Sequence, residues 1–220
     1  MIGLVVASNL EASPFLDALK WRKISNQPFS IYQGELGPSK IPMIFIISGM
    51  GKVAAAVATH LLIHCHGVTR IFNIGSCGAL KESHGFEPGS IFRINTAIEG
   101  DRQDGPFLIY PENCASDLFD KLPCARLVTC DRPVFNLQRK KSLSTLGDLI
   151  DMEGAAVARV ASMYARPCVL IKGITDEAKE GDRQILTQNI GKVSEKMADL
   201  FMNTIASLTN VHNDYTSPLR

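Results

Sequence analysis

The feature that most constrains the fold is the alternation of short apolar runs with segments of helical periodicity. The apolar runs have the length of buried strands, and they cover 2–7, 29–35, 43–48, 70–75, 90–96, 126–129 and 168–174. The helical segments cover 10–19, 52–65, 115–122, 153–164 and 189–208. Strands that alternate with helices predict a single α/β domain, in which helices flank a central, twisted, mixed β-sheet.

Length and charge narrow the class of protein further. The chain has 220 residues, enough for one domain with a sizeable core, and a formal net charge of +1, which creates no strong field for nucleic acid or anionic lipid. No apolar run reaches the roughly 20 residues that cross a bilayer. The apolar start at 1–7 lacks the basic region and cleavage site of a signal peptide. We therefore expect a cytoplasmic domain over 1–209 with a polar tail over 210–220, and binding to neither nucleic acid nor membrane.

The six cysteines include no Cys-x-x-Cys pair, which favours free thiols in a reducing compartment. The His-Cys-His triplet at 64–66 has the composition of metal ligands. Adjacent residues of a helix point in different directions, however, and no second cluster supports the triplet. We therefore predict no metal and no other cofactor.

Polar residues near strand ends are the candidates for chemistry, because ligands of open α/β sheets bind at the carboxyl ends of strands. Glu11 comes soon after the first strand, and Ser76 lies in a small-residue segment predicted to be a turn after the strand at 70–75. Glu153 opens a helix, and Asp176 follows the strand at 168–174. Local sequence also fits structural roles, such as a dipole-stabilised Glu11, a turn residue at Ser76 and a capping Asp176. Glu153 lies among small residues, where a charge needs a partner.

Four short segments, three of which contain Ser76, Glu153 or Asp176, come in a characteristic order. They are Ser-Gly-Met-Gly-Lys-Val-Ala-Ala-Ala at 48–56, Asn-Ile-Gly-Ser-Cys-Gly at 73–78, Asp-Met-Glu-Gly-Ala at 151–155 and Gly-Ile-Thr-Asp at 173–176. In order and spacing, over about 1–208, they resemble the nucleoside phosphorylase/nucleosidase superfamily, and within it the methylthioadenosine/S-adenosylhomocysteine nucleosidases. The resemblance implies an enzyme that cleaves the N-glycosidic bond of a 5′-substituted adenine nucleoside, commonly as a homodimer.

The resemblance also implies a role for each candidate residue. Cleavage builds positive charge on the sugar and negative charge on the departing base. Asp176 would protonate the base at N7, and Glu11 would hold and deprotonate the attacking water, in the general manner of inverting glycoside hydrolysis. Glu153 would accept hydrogen bonds from the ribose hydroxyls and stabilise the cationic sugar. Met152 would line the ribose, and Ser76 would donate a hydrogen bond near the sugar or the acid.

Two departures from phosphorylases favour water as the nucleophile. Phosphorylases of the superfamily have a Gly-rich loop with a basic residue near the N-terminus, and often an arginine just before the Gly-Ser segment. Here the segment at 7–11 is Ala-Ser-Asn-Leu-Glu, and the residue three before Ser76 is Asn73. An anionic Glu11 repels phosphate and suits water. A phosphorylase and a non-catalytic nucleoside-binding protein stay as alternatives, although the latter is expected to lose one of the carboxylates.

The 5′ substituent stays open between methylthioadenosine, S-adenosylhomocysteine and aminodeoxyfutalosine. Asp176 favours adenine, because futalosine hydrolases, which release hypoxanthine, often have asparagine there. The segments at 99–107 and 151–154 depart from the methylthioadenosine pattern and lean toward the futalosine branch, so a futalosine hydrolase is the alternative. Phe135 is the candidate for stacking on the purine, although its register is offset by one or two residues and core packing fits equally. Phe107 is the candidate for the 5′ side, where it would reach a neighbouring subunit.

A dinucleotide-binding fold is not favoured. Such a fold needs G-x-G-x-x-G after the first strand, and here the first strand is followed by Ala-Ser-Asn-Leu at 7–10.

Overall fold

The computed structural model describes residues 1–102, 105, 107–109, 111, 118–179 and 183–207. Within these residues, ten strands and five helices form one α/β domain with a mixed sheet, as the sequence predicts. The predicted tail at 210–220 lies outside the described residues, as does the start of the predicted helix at 115–122. Residues 118–121 form a turn, so the second half of that helix is not present. None of the helices in the described part of the chain is long and apolar enough to cross a membrane.

The strands are β1 (Ile2–Val6), β2 (Arg22–Ser25), β3 (Ser30–Leu36), β4 (Ile41–Ile47), β5 (Arg70–Ala79), β6 (Ile91–Glu99), β7 (Phe107–Ile109), β8 (Cys124–Thr129), β9 (Leu149–Asp151) and β10 (Cys168–Asp176). The helices are α1 (Asn9–Ala18), α2 (Lys52–His64), α3 (Leu137–Leu143), α4 (Gly154–Met163) and α5 (Arg183–Ala206). The sequence pattern does not reveal β2, β7, β9 and α3, because each is too short to show a clear period.

Strand β5 is the centre of the sheet. It pairs in parallel with β1 and β10 and antiparallel with β9. Strand β10 also pairs with β6, β6 with β8, and β8 with β9, so these five strands close into a ring. Strands β4, β3 and β2 extend the sheet outward from β1. The ring places the ends of β5, β9 and β10 next to one another.

Apolar packing covers both faces of the sheet. Helix α5, which the sequence predicts over 189–208, buries Val193, Met197, Phe201 and Ile205 against one face together with α1. Helices α2 and α4 cover the other face. Each fully buried side chain of this size contributes about 1.5–3 kcal/mol relative to exposure. All nine residues of β10 are buried, so any polar group on this strand needs a partner inside the protein.

The segment at 75–78 is strand and not the predicted turn. Strand β5 continues through it because Ser76 and Cys77 pair with Gly173 and Ile174 of β10, while Gly78 pairs with Ile150 of β9. The prediction that Ser76 follows a strand is therefore wrong. Small residues here serve close approach between neighbours and not chain reversal.

Candidate active site

A cavity lies at the carboxyl-terminal parts of β1, β5, β9 and β10, next to the first turns of α1 and α4. It brings together six of the seven predicted site residues: Glu11, Ser76, Phe135, Met152, Glu153 and Asp176. The other described residues that line it are Ala7, Ser8, Met50, Cys77, Gly78, Pro133, Val134, Ile150, Asp151, Thr175, Ala178, Leu186 and Ile190. Most of these are apolar, so the carboxylates face a largely apolar space.

Glu11 is fixed by four hydrogen bonds. Its Oε1 accepts from the backbone N–H and the Oγ of Ser76, at 2.8 and 2.7 Å. Its Oε2 accepts from the backbone N–H and the Oγ of Ser8, at 3.0 and 2.7 Å. Ser8 is also the N-cap of α1, and it forms a capping box with Glu11 at the third helical position. The start of α1 thus orients a buried carboxylate toward the end of β5.

Two glycines of β5 make room for two carboxylates. A methyl group added at Gly75 would lie 3.2 Å from Glu11 Oε1, and one at Gly78 would lie 3.0 Å from Asp176 Oδ1. Both distances are tighter than ordinary carbon–oxygen contacts. The small-residue pattern of this strand therefore has a steric cause at the cavity.

Glu153 has a different environment at the start of α4. It occupies the N-cap position, yet its side chain makes no cap hydrogen bond and instead its Oε1 accepts from the N–H of Gly51 at 2.7 Å. Asp151 stands in as the capping group, because its Oδ2 accepts from the N–H of Gly154 at 2.7 Å. Burial, followed by the negative charge of Asp151, raises the pKa of Glu153 to about 7. Glu153 therefore changes charge near neutral pH.

Lys172 supplies a buried positive charge next to Asp151. Its Nζ lies 2.8 Å from Asp151 Oδ2, and both side chains are 1% exposed. Burial disfavours the ammonium, but Asp151 and then Glu153 outweigh burial and raise the pKa of Lys172. Sequence reasoning missed this residue, although a lysine within the apolar run at 168–174 is a signal that could have found it.

Asp176 ends β10 with its carboxylate anchored at the cavity. Its Oδ1 accepts from the N–H of Ala178 at 2.8 Å, and its Oδ2 accepts from the Oγ1 of Thr175 at 3.1 Å. Lys140 donates to the carbonyl of Glu177 at 2.6 Å, which fixes the following turn. Asp176 is thus held in place by the backbone around it, while only 6% of its surface is exposed.

The two predicted aromatic residues differ in position. Phe135 lines the cavity beside Val134, where a planar base has an apolar surface to contact. Phe107 lies on β7, outside the residues that line the cavity, with its ring 4.6 Å from the Arg159 guanidinium carbon. The prediction that Phe107 serves a neighbouring subunit stays a prediction.

His64 of the His-Cys-His triplet and the nearby His60 make ordinary ring contacts. The rings of His60 and His64 stack at 5.2 Å, and Nδ1 of His60 lies 2.7 Å from the hydroxyl of Tyr164. Within the described part of the chain, no group of three or more His, Cys, Asp or Glu side chains is arranged to hold a metal ion.

Fold and cavity together define the class of protein. Residues 1–208 match the family model of the Phosphorylase superfamily, and the chain belongs to that superfamily.

Curated relatives narrow the comparison to nucleosidases. The chain is 25% identical to the 5′-methylthioadenosine/S-adenosylhomocysteine nucleosidase of Psychromonas ingrahamii, over 95% of this chain and 99% of the relative. It is 27% identical to the enzyme of the same name from Buchnera aphidicola subsp. Baizongia pistaciae, over 80% of this chain and 78% of the relative.

Solved structures share the fold across most of this chain. The 5′-methylthioadenosine/S-adenosylhomocysteine nucleosidase of Helicobacter pylori superposes with a TM-score of 0.86 at 20% identity, covering 94% of this chain and 98% of that one. The futalosine hydrolase of the same organism superposes with a TM-score of 0.85 at 19% identity, covering 94% and 97%. At these identities the likeness concerns the fold.

Proposed function

We propose that this protein is a purine nucleosidase, which hydrolyses the N-glycosidic bond of a 5′-substituted adenine nucleoside and releases adenine. The observation that carries the proposal is the convergence of Glu11, Glu153 and Asp176 on one apolar cavity, although they come from three distant parts of the chain. The names of the curated relatives support the same activity. The candidate substrates are methylthioadenosine, S-adenosylhomocysteine and aminodeoxyfutalosine, with futalosine as the alternative.

Asp176 is proposed as the acid that protonates N7 of the departing base. Its backbone anchors hold the carboxyl at the end of β10, beside the apolar surface that Phe135 offers to a purine. Only 6% of its surface is exposed, and the carboxyl must carry its proton at the moment when the base departs.

Glu153 is proposed as the residue that binds the ribose hydroxyls, with Met152 against the sugar. An anionic carboxylate at this place also stabilises the positive charge that develops on the sugar. Because Glu153 titrates at about pH 7, this role predicts that kcat/KM falls as the pH drops below 7.

Glu11 is proposed as the base that orients and deprotonates water. A water molecule that displaces one of the two serine hydroxyls would meet a carboxylate already fixed by the backbone donors. Among the described residues that line the cavity, none is an arginine or a lysine. A phosphate ion would find no positive side chain there, which favours hydrolysis over phosphorolysis.

The test is the release of free base from methylthioadenosine, S-adenosylhomocysteine, aminodeoxyfutalosine, futalosine and inosine, with and without phosphate. We expect adenine from at least one adenine nucleoside, at a rate that phosphate does not change. Asp176→Asn should abolish turnover, because the amide oxygen can still accept from Ala178 but the acid is lost. Hypoxanthine release from futalosine alone would favour the alternative, and ribose 1-phosphate as a product would overturn hydrolysis. No base from any substrate would leave a binding protein.

We also propose that the protein is a homodimer, formed through the exposed start of α2. Met50, Val53 and Val57 are 73%, 78% and 43% exposed, and the two valines lie one helical turn apart on one face. A contiguous apolar patch of this kind is typical of an interface between proteins. Met50 also lines the cavity, so a partner seated here would help to close the site.

Light scattering coupled to size-exclusion chromatography tests the dimer. Val53→Glu should yield a monomer, whereas Ile185→Glu, at a 46% exposed apolar position on α5, should leave the mass unchanged. A monomeric wild-type protein at micromolar concentration would contradict the proposal.

A cytoplasmic location completes the proposal. The described cysteines, Cys65, Cys77, Cys124, Cys130 and Cys168, all have free thiols. Free thiols are characteristic of a reducing compartment.

A further inference from the structure

The peptide unit between Glu177 and Ala178 contacts both the proposed acid and a buried lysine. Its N–H, which belongs to Ala178, donates to Asp176 Oδ1 at 2.8 Å. Its carbonyl oxygen, which belongs to Glu177, accepts from Lys140 Nζ at 2.6 Å. The N–H and C=O groups of a trans peptide point in opposite directions. The group that holds the carbonyl oxygen therefore also fixes the direction of the N–H toward Asp176.

The backbone at Ala178 is unfavourable for this orientation. Its φ is 50°, in the left-handed region that alanine rarely adopts. A rotation of the preceding peptide by about 180° would return φ to negative values, as in the change from a type II to a type I turn. The same rotation would turn the N–H away from Asp176. An interaction elsewhere must therefore hold the peptide in its observed orientation.

Lys140 of α3 is placed to hold it. The residue is 3% exposed, and its other ionic partner is Glu82, whose Oε1 lies 3.0 Å from Nζ and whose side chain is 70% exposed. A hydrogen bond from a charged donor is about twice as strong as a neutral one. The buried bond from Lys140 to the carbonyl of Glu177 can therefore offset the cost of one left-handed alanine.

Helix α3 also connects this lysine to the aromatic side of the cavity. Val134 and Phe135 line the cavity, and α3 begins at Leu137. Val134 packs in one apolar cluster with Ala178 and with Leu143 at the end of α3. The hydrogen bond from Lys140 to Glu177 thus joins the segment that would contact a purine to the turn that follows the acid.

We propose that Lys140 is a positioning residue, whose ammonium orients the Glu177–Ala178 peptide so that its N–H holds the carboxyl group of Asp176. The inference rests on the proposed function, in which Asp176 is the acid, although the orientation of the peptide can be tested without activity. Lys140 is not among the described residues that line the cavity, so it acts through Asp176 and not on the substrate.

The orientation of the peptide is tested by hydrogen exchange of the amide at position 178, followed by NMR of 15N-labelled protein. The signal is assigned by its absence from 15N-alanine-labelled protein that carries Ala178→Gly. Lys140→Met should speed the exchange of this amide roughly tenfold, about the worth of one hydrogen bond to a charged group. Lys141→Met, at the exposed neighbour on the same helix, is the matched control and should change nothing.

Two further variants separate the hydrogen bond from folding and from the ion pair. Lys140→Met should fold, because the ionic partner that it leaves, Glu82, is exposed to water. Lys140→Gln, whose side chain is one atom shorter, replaces it if the methionine variant does not fold, and the same faster exchange is expected. Glu82→Gln removes the ion pair alone and should leave the exchange rate within about twofold.

Kinetics on a nucleoside that the wild type cleaves test the consequence for the acid. Lys140→Met should lower kcat by about 10- to 100-fold, because a misoriented acid supplies less of its catalytic effect. KM should stay within about threefold, because the lost interaction acts in the transition state. Lys141→Met should have the kcat of the wild type.

The variant that decides the mechanism combines Lys140→Met with Ala178→Gly. Glycine adopts positive and negative φ about equally, so it removes the preference that would rotate the peptide. In the Ala178→Gly background, Lys140→Met should therefore lower kcat by no more than about threefold. A lysine that only stabilises the fold would cause the same loss in both backgrounds, and that result would overturn the inference.

The remaining outcomes distinguish this inference from the proposed function. Equal exchange at position 178 with and without Lys140 would overturn the inference even if adenine is released. If the wild type releases no base from any nucleoside, the proposed function fails, while the exchange rates still decide whether Lys140 orients the peptide.

Discussion

Two helices present a glutamate to the same cavity, and the surroundings of the two carboxylates differ. At the start of α1, both oxygens of Glu11 accept two hydrogen bonds each, from Ser8 and Ser76. At the start of α4, Glu153 accepts one such bond, from Gly51, and lies near Asp151. A carboxylate surrounded by donors is held in one orientation, whereas one that lies beside another acid is left close to protonation. The local environment, and not the residue type, therefore distinguishes the two proposed roles.

Among the substitutions at Glu11, Glu153 and Ser8, Glu11→Gln should lower kcat the most. The amide turns an NH₂ group toward donors and cannot accept a proton from water, so kcat should fall about 10³-fold. Binding of adenine, measured by calorimetry, should change little because the base site is separate. Glu35→Gln, at an exposed glutamate of β3, serves as the control. Unchanged kcat would place the activation of water elsewhere.

Glu153→Gln should have a smaller effect on turnover, on the order of 10²-fold in kcat/KM. The amide still accepts from Gly51, but it provides no negative charge to the sugar. The pH dependence should change as well, since the acid limb at about pH 7 belongs to Glu153 in the wild type. An acid limb that persists in the variant would assign it to another group.

The same substitution should stabilise the protein at alkaline pH. The folded-state pKa of Glu153 is raised to about 7 from 4.5, so its stabilising contribution is complete below the unfolded value and is lost as the pH rises through 7. At pH 8, Glu153→Gln should therefore raise the free energy of unfolding by on the order of 2 kcal/mol, with little change at pH 4. Urea melts at both values measure this difference. A gain that is equal at the two pH values would contradict the assigned titration.

Substitutions of Ser8 should have the smallest effect, and they separate its capping role from its contact with Glu11. Ser8→Gly keeps a good N-cap residue and the backbone donor, but it removes the hydroxyl that contacts Glu11. We expect kcat to fall roughly tenfold, about the worth of one hydrogen bond to a charged group. The free energy of unfolding should change very little. Ser8→Ala should add a loss of about 1 kcal/mol in unfolding free energy. Ser13→Ala, at an exposed serine of the same helix, is the control. Equal kcat in Ser8→Gly and the wild type would limit Ser8 to a capping role.

Much of the fold follows from periodicity, because long apolar runs and amphipathic helices have few alternative structures. The buried stripe of α5 and the strands of the sheet centre are predictable in this way. The closure of five strands into a ring is not, since it depends on short β9 and on the pairing of β10 with two neighbours. The same pairing explains why Ser76 lies in a strand, where local sequence favours a turn.

The residues of the candidate site also divide into those that the sequence reveals and those that only the folded structure places. Glu153 and Asp176 can be found because their segments resemble a family in order and spacing, and Glu11 follows from the resemblance over about 1–208. Lys172 could not be placed from the strand alone, because its partner Asp151 lies 21 positions away and reaches it only through the folded sheet. Phe135 also depends on the path of an irregular loop, for which sequence sets no register.

The two glycines of β5 have a consequence for how this protein tolerates genetic change. Gly75 and Gly78 are unreactive, yet a methyl group at either position would crowd a carboxylate oxygen, at 3.2 and 3.0 Å. A screen for folded protein and a screen for turnover should therefore disagree at these positions, since alanine there displaces an acid more readily than it unfolds a strand. Loss-of-function alleles in this chain are thus expected at residues that have no side chain with which to do chemistry.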